Sequence, residues 1–387
     1  VLALLNLMLS SILHVSERFQ STYQIDKVEP MNHIDKIGLI GVAHPHSIAH
    51  LKTLRWIDQI SDIPIYDSDE SATQYAKEEI GDKIGETYTD LDSLLNRPDV
   101  PVMFVCLRND QAPDVLIKCA DAGKHVIVEK PVAKSAKAFK PALDAIEEAG
   151  LKITVCFQNR YHPIVQDICD LISKGILGSP MSIEMRMVTS QVRFRDPDHW
   201  LFQQKLSGGG ILSWLGCHYL DMACYFMQDR ISEVSAIVAT RSGESIDVED
   251  TASLSLRFRS GAVGSLHAGY MLPFSGLGYM GPSYDTHIAI RGTKGNIVWK
   301  PFEREEPSFT AESTIVEWET SPHRVFRHQL PACDAYGGVH GVKFVTDFLN
   351  AVASDKQPAV NGNDMMHILE ILDAAYESDI TGKRINI

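Results

Sequence analysis

The first part of the chain alternates short apolar runs with longer amphipathic segments. We interpret each short run as a buried strand and each amphipathic segment as the helix that follows it. The strands are predicted at residues 37–42, 63–67, 102–106, 125–129 and 153–157, and the helices at 46–58, 70–80, 111–122 and 135–149. This alternation predicts an α/β fold with a doubly wound parallel sheet.

The pattern changes after about residue 160. A helix at 162–174 leads to strand-like segments at 180–190, 232–241, 250–259, 262–270, 286–291 and 296–299. Gly261, Gly292 and Gly295 mark hairpin turns between them. We therefore predict a second, α+β domain with an open, mostly antiparallel sheet, which ends in helices at 341–353 and 364–380.

The length of 387 residues also fits two domains, which we place at 31–152 and 153–387 with the terminal helices within 341–380. We interpret residues 1–30 as an N-terminal extension outside the core, so that the folded part begins near Met31. The apolar stretch in this extension is too short to span a membrane, and it lacks the basic segment and cleavage site of a signal peptide.

Charge and cysteine content narrow the functional classes. Lysine and arginine number 36 against 50 acidic residues, for a net charge of −14, which argues against a surface for nucleic acid or anionic membranes. The seven cysteines form no C-x-x-C pair and are typical of free thiols in a reducing compartment. We expect a cytoplasmic protein.

The turn after the first predicted strand partly matches a dinucleotide-binding fingerprint. In G-x-G-x-x-G, Gly41 occupies the first position, Ala43 the second and His46 the third. Such a turn brings backbone N–H groups close to a pyrophosphate at a helix N-terminus. His46 either donates to the phosphate or caps the helix. His46 and His50 have a spacing that also suits a metal, but no third ligand is evident, so we predict no metal site.

Asp67 ends the second predicted strand, 26 residues after Gly41. A carboxylate near this distance binds the adenosine ribose hydroxyls in dinucleotide-binding folds. The following residues offer no lysine or arginine for a 2′-phosphate, which favours NAD over NADP. The alternative is an ordinary aspartate that begins a turn.

Two further segments carry candidate chemistry. Lys130, followed by a proline, stands where the predicted 125–129 strand ends, at the sheet edge where ligands bind; the alternative is a surface lysine in a turn. Three glycines at 208–210 precede a helix on which Trp214, His218 and Asp221 share a face. With a reference pKa of about 6.5, His218 suits a general base, and the alternative is a core histidine.

Together these segments resemble the Gfo/Idh/MocA family (glucose–fructose oxidoreductase, inositol dehydrogenase and related proteins). The A-G-K-H-V-x-x-E-K-P block ends at Lys130, and Asn159-Arg160-Tyr161 and Arg291-Gly292-Thr293-Lys294-Gly295 resemble two other family segments. The glycine-rich block matches at Gly208, Gly209, Gly210, Leu212, Gly216, His218 and Asp221.

The resemblance implies a Rossmann domain, a C-terminal domain that forms homodimers or homotetramers through its sheet, and oxidation or reduction of a sugar, cyclitol or related polyol with NAD or NADP. Lys130 would hydrogen-bond the reacting oxygen and His218 would act as acid and base. The predicted cofactor-binding residues are Gly41, Ala43, His44, His46, Asp67, Leu107, Asn109, Glu129, Lys130 and Asn159. The predicted substrate-binding residues are Tyr161, Arg195, His199, Trp200, Trp214 and His218.

Two departures from the family pattern keep alternatives open. Trp214 stands where the family usually has an aspartate, and the first turn is poor in glycine. An indole stacks on a sugar or a cofactor ring but does not replace a carboxylate. We therefore weigh an NAD-dependent dehydrogenase against a redox-neutral glycosidase that retains NAD, and against a sensor of NAD or a metabolite that has no catalytic activity.

Overall fold

The computed structural model describes residues 34–277, 283–302 and 307–387. The predictions that residues 1–30 form an extension and that the fold begins near Met31 lie outside the described residues. No helix in the described part is long and apolar enough to cross a membrane.

The first sheet has six parallel strands in the order β3-β2-β1-β4-β5-β6. Its strands are β1 (Ile37–Ile40), β2 (Ile63–Tyr66), β3 (Ile84–Tyr88), β4 (Val102–Val105), β5 (His125–Val128) and β6 (Ile153–Val155). The intervening helices are α1 (Ser47–Arg55), α2 (Glu70–Ile80), α3 (Leu91–Leu95), α4 (Ala112–Asp121) and α5 (Ala136–Glu148). The predicted doubly wound parallel sheet is confirmed. Its strand order reverses between β1 and β4, and ligands of such sheets bind in the crevice at that point.

The second sheet has nine strands in the order β14-β13-β12-β11-β7-β10-β9-β8-β15. Within the described part of this sheet, β7 and β10 form the only parallel pair, and the other pairs are antiparallel. Its strands are β7 (Pro180–Ser190), β8 (Ile231–Ala239), β9 (Thr251–Phe258), β10 (Val263–Leu272), β11 (Tyr284–Gly292), β12 (Gly295–Trp299), β13 (Ser308–Ser313), β14 (His323–Arg327) and β15 (Ile385–Asn386). The helices of this part are α6 (Pro163–Ser173), α7 (Gln204–Ser207), a π-helical turn (Leu212–Gly216), α8 (Cys217–Met227), α9 (Val339–Ala353) and α10 (Gly362–Thr381). Short 3₁₀ helices span Gln158–Tyr161, Val192–Phe194, Trp200–Phe202 and Val316–Trp318. The predicted mostly antiparallel sheet is confirmed.

Alternation along β9 explains why this sheet is covered on one face. Leu254 and Leu256 are buried, whereas Ser253, Ser255 and Arg257 are exposed. Because side chains alternate between faces of a strand, the apolar set packs inward and the polar set forms an open face.

Helix α10 joins the two sheets. It contacts α5 and β6 on one side and β8 and β15 on the other, and Ala136 N donates to Asp373 Oδ2 across 2.9 Å. The first sheet itself includes β6, so it continues three residues past the domain boundary predicted at 152.

Candidate functional site

The first turn of the parallel sheet depends on a glycine at position 41. Gly41 has a φ of +90°, a conformation that glycine adopts without strain. A Cβ at this position would overlap the carbonyl oxygen of Cys106 and would crowd the side chain of Leu107. The turn is closed by Ser47 Oγ, which donates to Gly41 O at 2.6 Å. Position 41 therefore has no room for a side chain, because the backbone after β1 lies directly against the residues that follow β4.

Asp67 holds this turn from the end of β2. Its carboxylate accepts from Ala43 N at 2.8 Å and from Asp69 N at 2.9 Å, and it is buried. No basic side chain stands between Asp67 and Glu70. On the neighbouring loop, Asn109 Nδ2 donates to the carbonyl of Ser207 at 2.6 Å, which ties the loop after β4 to the segment before the glycines.

The turn fits the pyrophosphate of a dinucleotide. Its residues lead directly into α1, whose first residue is Ser47. No side chain among the described residues caps the N-terminus of α1, which leaves the partial positive charge of the helix end available to an anion. The small residues Gly41 and Ala43 leave room for a phosphate group near the backbone of the turn. The imidazoles of His44 and His46 occupy more of this space than glycines would.

Glu129 connects the end of β5 to α1. Its Oε1 lies 3.2 Å from His46 Nδ1 and 2.5 Å from His50 Nε2, and its Oε2 accepts from Lys130 N at 3.1 Å. Burial by itself would raise the pKa of Glu129, but the two imidazoles hold it well below the usual range. The carboxylate therefore stays charged in a buried position. The fold also brings Glu129 to the two histidines as a third candidate ligand, which removes the reason for predicting no metal.

Lys130 is 2% exposed and lies directly under Trp214. Its Nζ donates to the Trp214 carbonyl at 2.9 Å and sits 3.8 Å from the centroid of the indole ring. Both contacts suit an ammonium group, the first as a hydrogen bond and the second as a cation–π interaction. Trp214 thus fixes the Lys130 side chain through both its backbone carbonyl and its ring face.

Three aromatic rings lie around Trp214. The centroid distances from its indole are 4.9 Å to His46, 6.1 Å to His44 and 6.3 Å to Trp200, and His44 and Trp200 are 5.8 Å apart. Burial lowers the pKa of both histidines, well below the ordinary value in the case of His44. At neutral pH this cluster therefore presents neutral ring faces beside one ammonium group.

His218 lies in α8 beside this cluster. Burial, and then the charge of Lys130, lower its pKa well below the ordinary value. Its Nδ1 is buried and has no hydrogen-bond partner within the part of the chain that the structure describes. A buried polar atom without a partner costs on the order of 1–3 kcal/mol, so packing alone does not account for a histidine here.

The glycine segment positions the helix that carries Trp214 and His218. A Cβ on Gly210 would overlap the carbonyl oxygen of Glu249, so the close approach that these glycines permit is to the protein's own backbone. The buried carboxylate of Glu249 accepts from Gly210 N at 2.7 Å, Leu212 N at 2.9 Å and Tyr376 Oη at 3.0 Å. The π-helical turn that follows contains Trp214, and such turns are frequent at functional sites.

Arg160 anchors the middle of α8. It pairs with Asp221 through Nη2 and Oδ1 at 2.5 Å, and with Asp364 at 3.2 Å. Burial raises the pKa of Asp221 to about 6, against the opposing effect of Arg160. Asn159 lies half-buried in the same 3₁₀ turn, and its carbonyl accepts from His162 N at 3.0 Å.

Three predicted substrate residues are not among the rings next to Trp214. Tyr161 packs on Phe344 of α9 with ring centroids 5.7 Å apart. Arg195 is buried, donates to Thr189 Oγ1 at 2.9 Å and lies over the Tyr270 ring. His199 accepts from Leu201 N at 3.3 Å, and its ring lies 5.5 Å from that of Trp200. Their roles with a substrate stay predictions.

Tyr336 is a residue of the site that sequence reasoning missed. Its hydroxyl lies 3.3 and 3.4 Å from the two ring nitrogens of His46, and its ring centroid is 4.8 Å from those of His46 and His50. It is separated from them by more than 280 residues and belongs to no motif, so no local signal could have found it. Glu249 and Tyr376 were missed for the same reason.

Comparison with known proteins identifies both parts of the fold. A family model described as an oxidoreductase family with an NAD-binding Rossmann fold matches residues 36–157, and the GFO/IDH/MocA C-terminal domain matches residues 165–298. Myo-inositol 2-dehydrogenase of Thermotoga maritima is 27% identical over 347 residues, which are 89% of this chain and 96% of that protein. Levoglucosan dehydrogenase of Pseudarthrobacter phenanthrenivorans is 26% identical over 381 residues, 88% of this chain and 95% of that protein.

A solved structure of levoglucosan dehydrogenase in complex with NADH and levoglucosan has the same fold. It matches with a TM-score of 0.79 at 24% identity, over 91% of this chain and 99% of that chain. The two family matches together take in more than half of the 387 residues. The chain therefore belongs to the GFO/IDH/MocA family of oxidoreductases, as the motifs around Lys130 and His218 predict.

Proposed function

We propose that this protein is an NAD-dependent dehydrogenase that transfers hydride between the nicotinamide and a hydroxyl or carbonyl carbon of a sugar, cyclitol or related polyol. The observation that carries the proposal is Lys130 at the carboxyl end of β5, beside the first turn of the sheet and close to His218. The relatives named for myo-inositol and levoglucosan support a sugar-like or cyclitol substrate.

Lys130 and His218 divide the proton chemistry between them. An ammonium group has three N–H donors, so the one bond from Lys130 to Trp214 leaves two for the reacting oxygen. His218 is neutral at neutral pH because its pKa is lowered, and a neutral imidazole accepts the hydroxyl proton as the alcohol is oxidised. When bound, NAD supplies the hydride acceptor.

The aromatic rings suit a polyol with an apolar face. Trp200 is half-buried beside His44 and Trp214, and indole faces stack well on the C–H faces of sugar rings. The Asp67 carboxylate accepts hydrogen bonds from the ribose hydroxyls, and the acidic residues after it disfavour a 2′-phosphate, which supports NAD over NADP.

The open polar face of the nine-stranded sheet is our proposed interface between copies of the chain. Light scattering on the purified protein tests this proposal.

The test is a panel of sugars, cyclitols and uronic acids incubated with NAD and followed at the NADH absorbance band. We expect NADH with at least one compound, and a fall in kcat of about 100-fold or more in Lys130→Met and His218→Gln. Lys134→Met, which changes an exposed lysine four residues away, is the matched control and should keep wild-type activity. Full activity in Lys130→Met would contradict the proposed role of Lys130.

A further inference from the structure

Three buried side chains converge behind Lys130. His46 lies immediately before α1 and His50 one turn later, and Glu129 reaches both from the end of β5. One ligand atom from each side chain lies within 4.8 Å of the others. In residues 34–277, 283–302 and 307–387, no second group of three histidine, cysteine or acidic side chains meets this criterion.

The burial of this group distinguishes it from ordinary ion pairs. His46, His50 and Glu129 are 5%, 4% and 3% exposed, whereas the His323–Glu312 pair, at 2.9 Å, lies on the surface and involves a single imidazole. Both imidazoles contact the same oxygen of Glu129, so three atoms that can ligate a metal through a lone pair lie close together.

The donor atoms suit zinc. Two imidazole nitrogens and one carboxylate oxygen are ligands that Zn²⁺ takes at about 2.0–2.2 Å, whereas Mg²⁺ and Ca²⁺ prefer oxygen alone. Ligands at about 2.0 Å from a tetrahedral ion lie about 3.3 Å from one another. Glu129 Oε1 lies 3.2 Å from His46 Nδ1 and 2.5 Å from His50 Nε2, so these two separations would change by less than about 1 Å, and the two imidazole nitrogens, within 4.8 Å of each other, would close on the ion.

The surroundings support the ligands and tolerate the charge. Glu129 Oε2 is fixed by the Lys130 backbone N–H at 3.1 Å, which leaves Oε1 for an ion, an arrangement typical of supported metal ligands. A divalent ion with one carboxylate leaves one positive charge beside Lys130. The ammonium group of Lys130, however, is directed to the carbonyl and ring face of Trp214, both of which favour a cation.

We propose that His46, His50 and Glu129 are the three protein ligands of a Zn²⁺ site whose fourth position is taken by water. The ion would fix the first turn of α1 to the end of β5 and thereby hold Lys130 in position. This goes beyond the proposed function, since no step of the hydride transfer to nicotinamide uses a metal.

The test is titration of chelator-treated full-length protein with ZnCl₂ alone by calorimetry, together with the visible absorbance of the Co²⁺-substituted protein. We expect one Zn²⁺ per chain and the intense absorbance of four-coordinate Co²⁺. We expect His50→Gln and Glu129→Gln each to lower Zn²⁺ affinity about 100-fold or more, since loss of a ligand should cost at least as much as loss of its supporting contacts. His323→Gln, in the surface pair, should bind zinc as the wild type does.

The proposal is overturned if the wild type binds no zinc, or if His50→Gln binds it as tightly as the wild type. Circular dichroism confirms that each variant is folded, and should Glu129→Gln fail to fold, His50→Gln and the Co²⁺ spectrum of the wild type decide. NADH fluorescence on the chelator-treated protein reports cofactor binding separately, so a failure of the zinc site and a failure of the proposed function are distinguishable.

Discussion

Asp67 is the residue on which we expect the choice of cofactor to depend. Its two oxygens are fixed by backbone N–H groups of the first turn and of its own turn, so the carboxylate is held in place before a cofactor binds. Hydrogen bonds to a charged group contribute about 1.5–3 kcal/mol. Loss of the charge should therefore weaken recognition of the ribose hydroxyls and relieve repulsion of a 2′-phosphate.

We predict that the wild type has a higher kcat/KM with NAD than with NADP, and that Asp67→Asn lowers kcat/KM for NAD roughly 10- to 100-fold, the equivalent of such a bond. The efficiency with NADP should fall less. Asp69→Asn is the matched control, because Asp69 is exposed and caps α2. Steady-state kinetics with both cofactors provide the measurement, and a wild type that prefers NADP would refute the assignment of Asp67.

At the scale of elements, the segment from Gly208 to α8 depends on one buried carboxylate. Glu249 accepts three hydrogen bonds, two of them from backbone N–H groups at the start of the helical segment that carries Trp214 and His218. The glycines allow this segment to lie directly against the loop before β9, which contains Glu249. Stability and catalysis should therefore be lost together when this contact is broken.

We predict that Glu249→Gln lowers the free energy of unfolding by about 1–3 kcal/mol, because the amide offers one acceptor oxygen where the carboxyl group uses two. Gly210→Ala should be more harmful, since its Cβ would overlap the Glu249 carbonyl oxygen. Urea denaturation measures both effects, with the exposed Glu319→Gln as control. If Glu249→Gln unfolds like the control, Glu249 does not hold the segment.

At the scale of the whole molecule, half-buried neutral histidines should make stability depend on pH. Burial lowers the pKa of His162 to about 4 and that of His340 to about 3, and their rings are 4.8 Å apart. Unfolded histidine titrates near 6.5, so between pH 6.5 and about 4 the unfolded chain binds protons that the folded chain does not. Stability contributed by these neutral histidines is therefore lost as pH falls through this range.

We predict that each of these two histidines contributes up to about 1.4 kcal/mol per pH unit to the loss of stability below pH 6.5. The double variant His162→Asn with His340→Gln should have a shallower dependence, and Asn at 162 can still cap α6. Urea denaturation from pH 7.5 to 5 tests this, with the exposed His323→Gln as control. An unchanged slope in the double variant would show that these histidines titrate normally in the fold.

The sequence predicted elements best where burial leaves a periodic signal. The apolar runs of β1, β4 and β5 identified the parallel sheet, and alternation identified β7, β9 and β10. Strand β3, with the sequence Ile84-Gly85-Glu86-Thr87-Tyr88, was missed because it lies at the sheet edge and is only partly buried. Strands β13 and β14, at the opposite edge of the second sheet, were missed as well.

The candidate site was predictable only in part. Lys130, His218 and Asp67 stand in local motifs, so their positions at strand ends or beside glycines could be inferred. Other contacts join segments that are far apart in the sequence. Trp214 packs on Lys130, and Glu129 and Tyr336 both contact His46. Such contacts are determined by how α1, β5 and the segment before α9 pack together, which no local pattern encodes.

The central claim is net hydride transfer from a substrate carbon to NAD, and an isotope label tests it most directly. A substrate found in the panel would be deuterated at its reacting carbon and incubated with NAD and the wild-type protein. We predict one deuterium at C4 of the nicotinamide and a primary isotope effect on kcat/KM. Deuterium that remains on, or returns to, the sugar while a glycosidic bond is cleaved would contradict this account and favour redox-neutral chemistry.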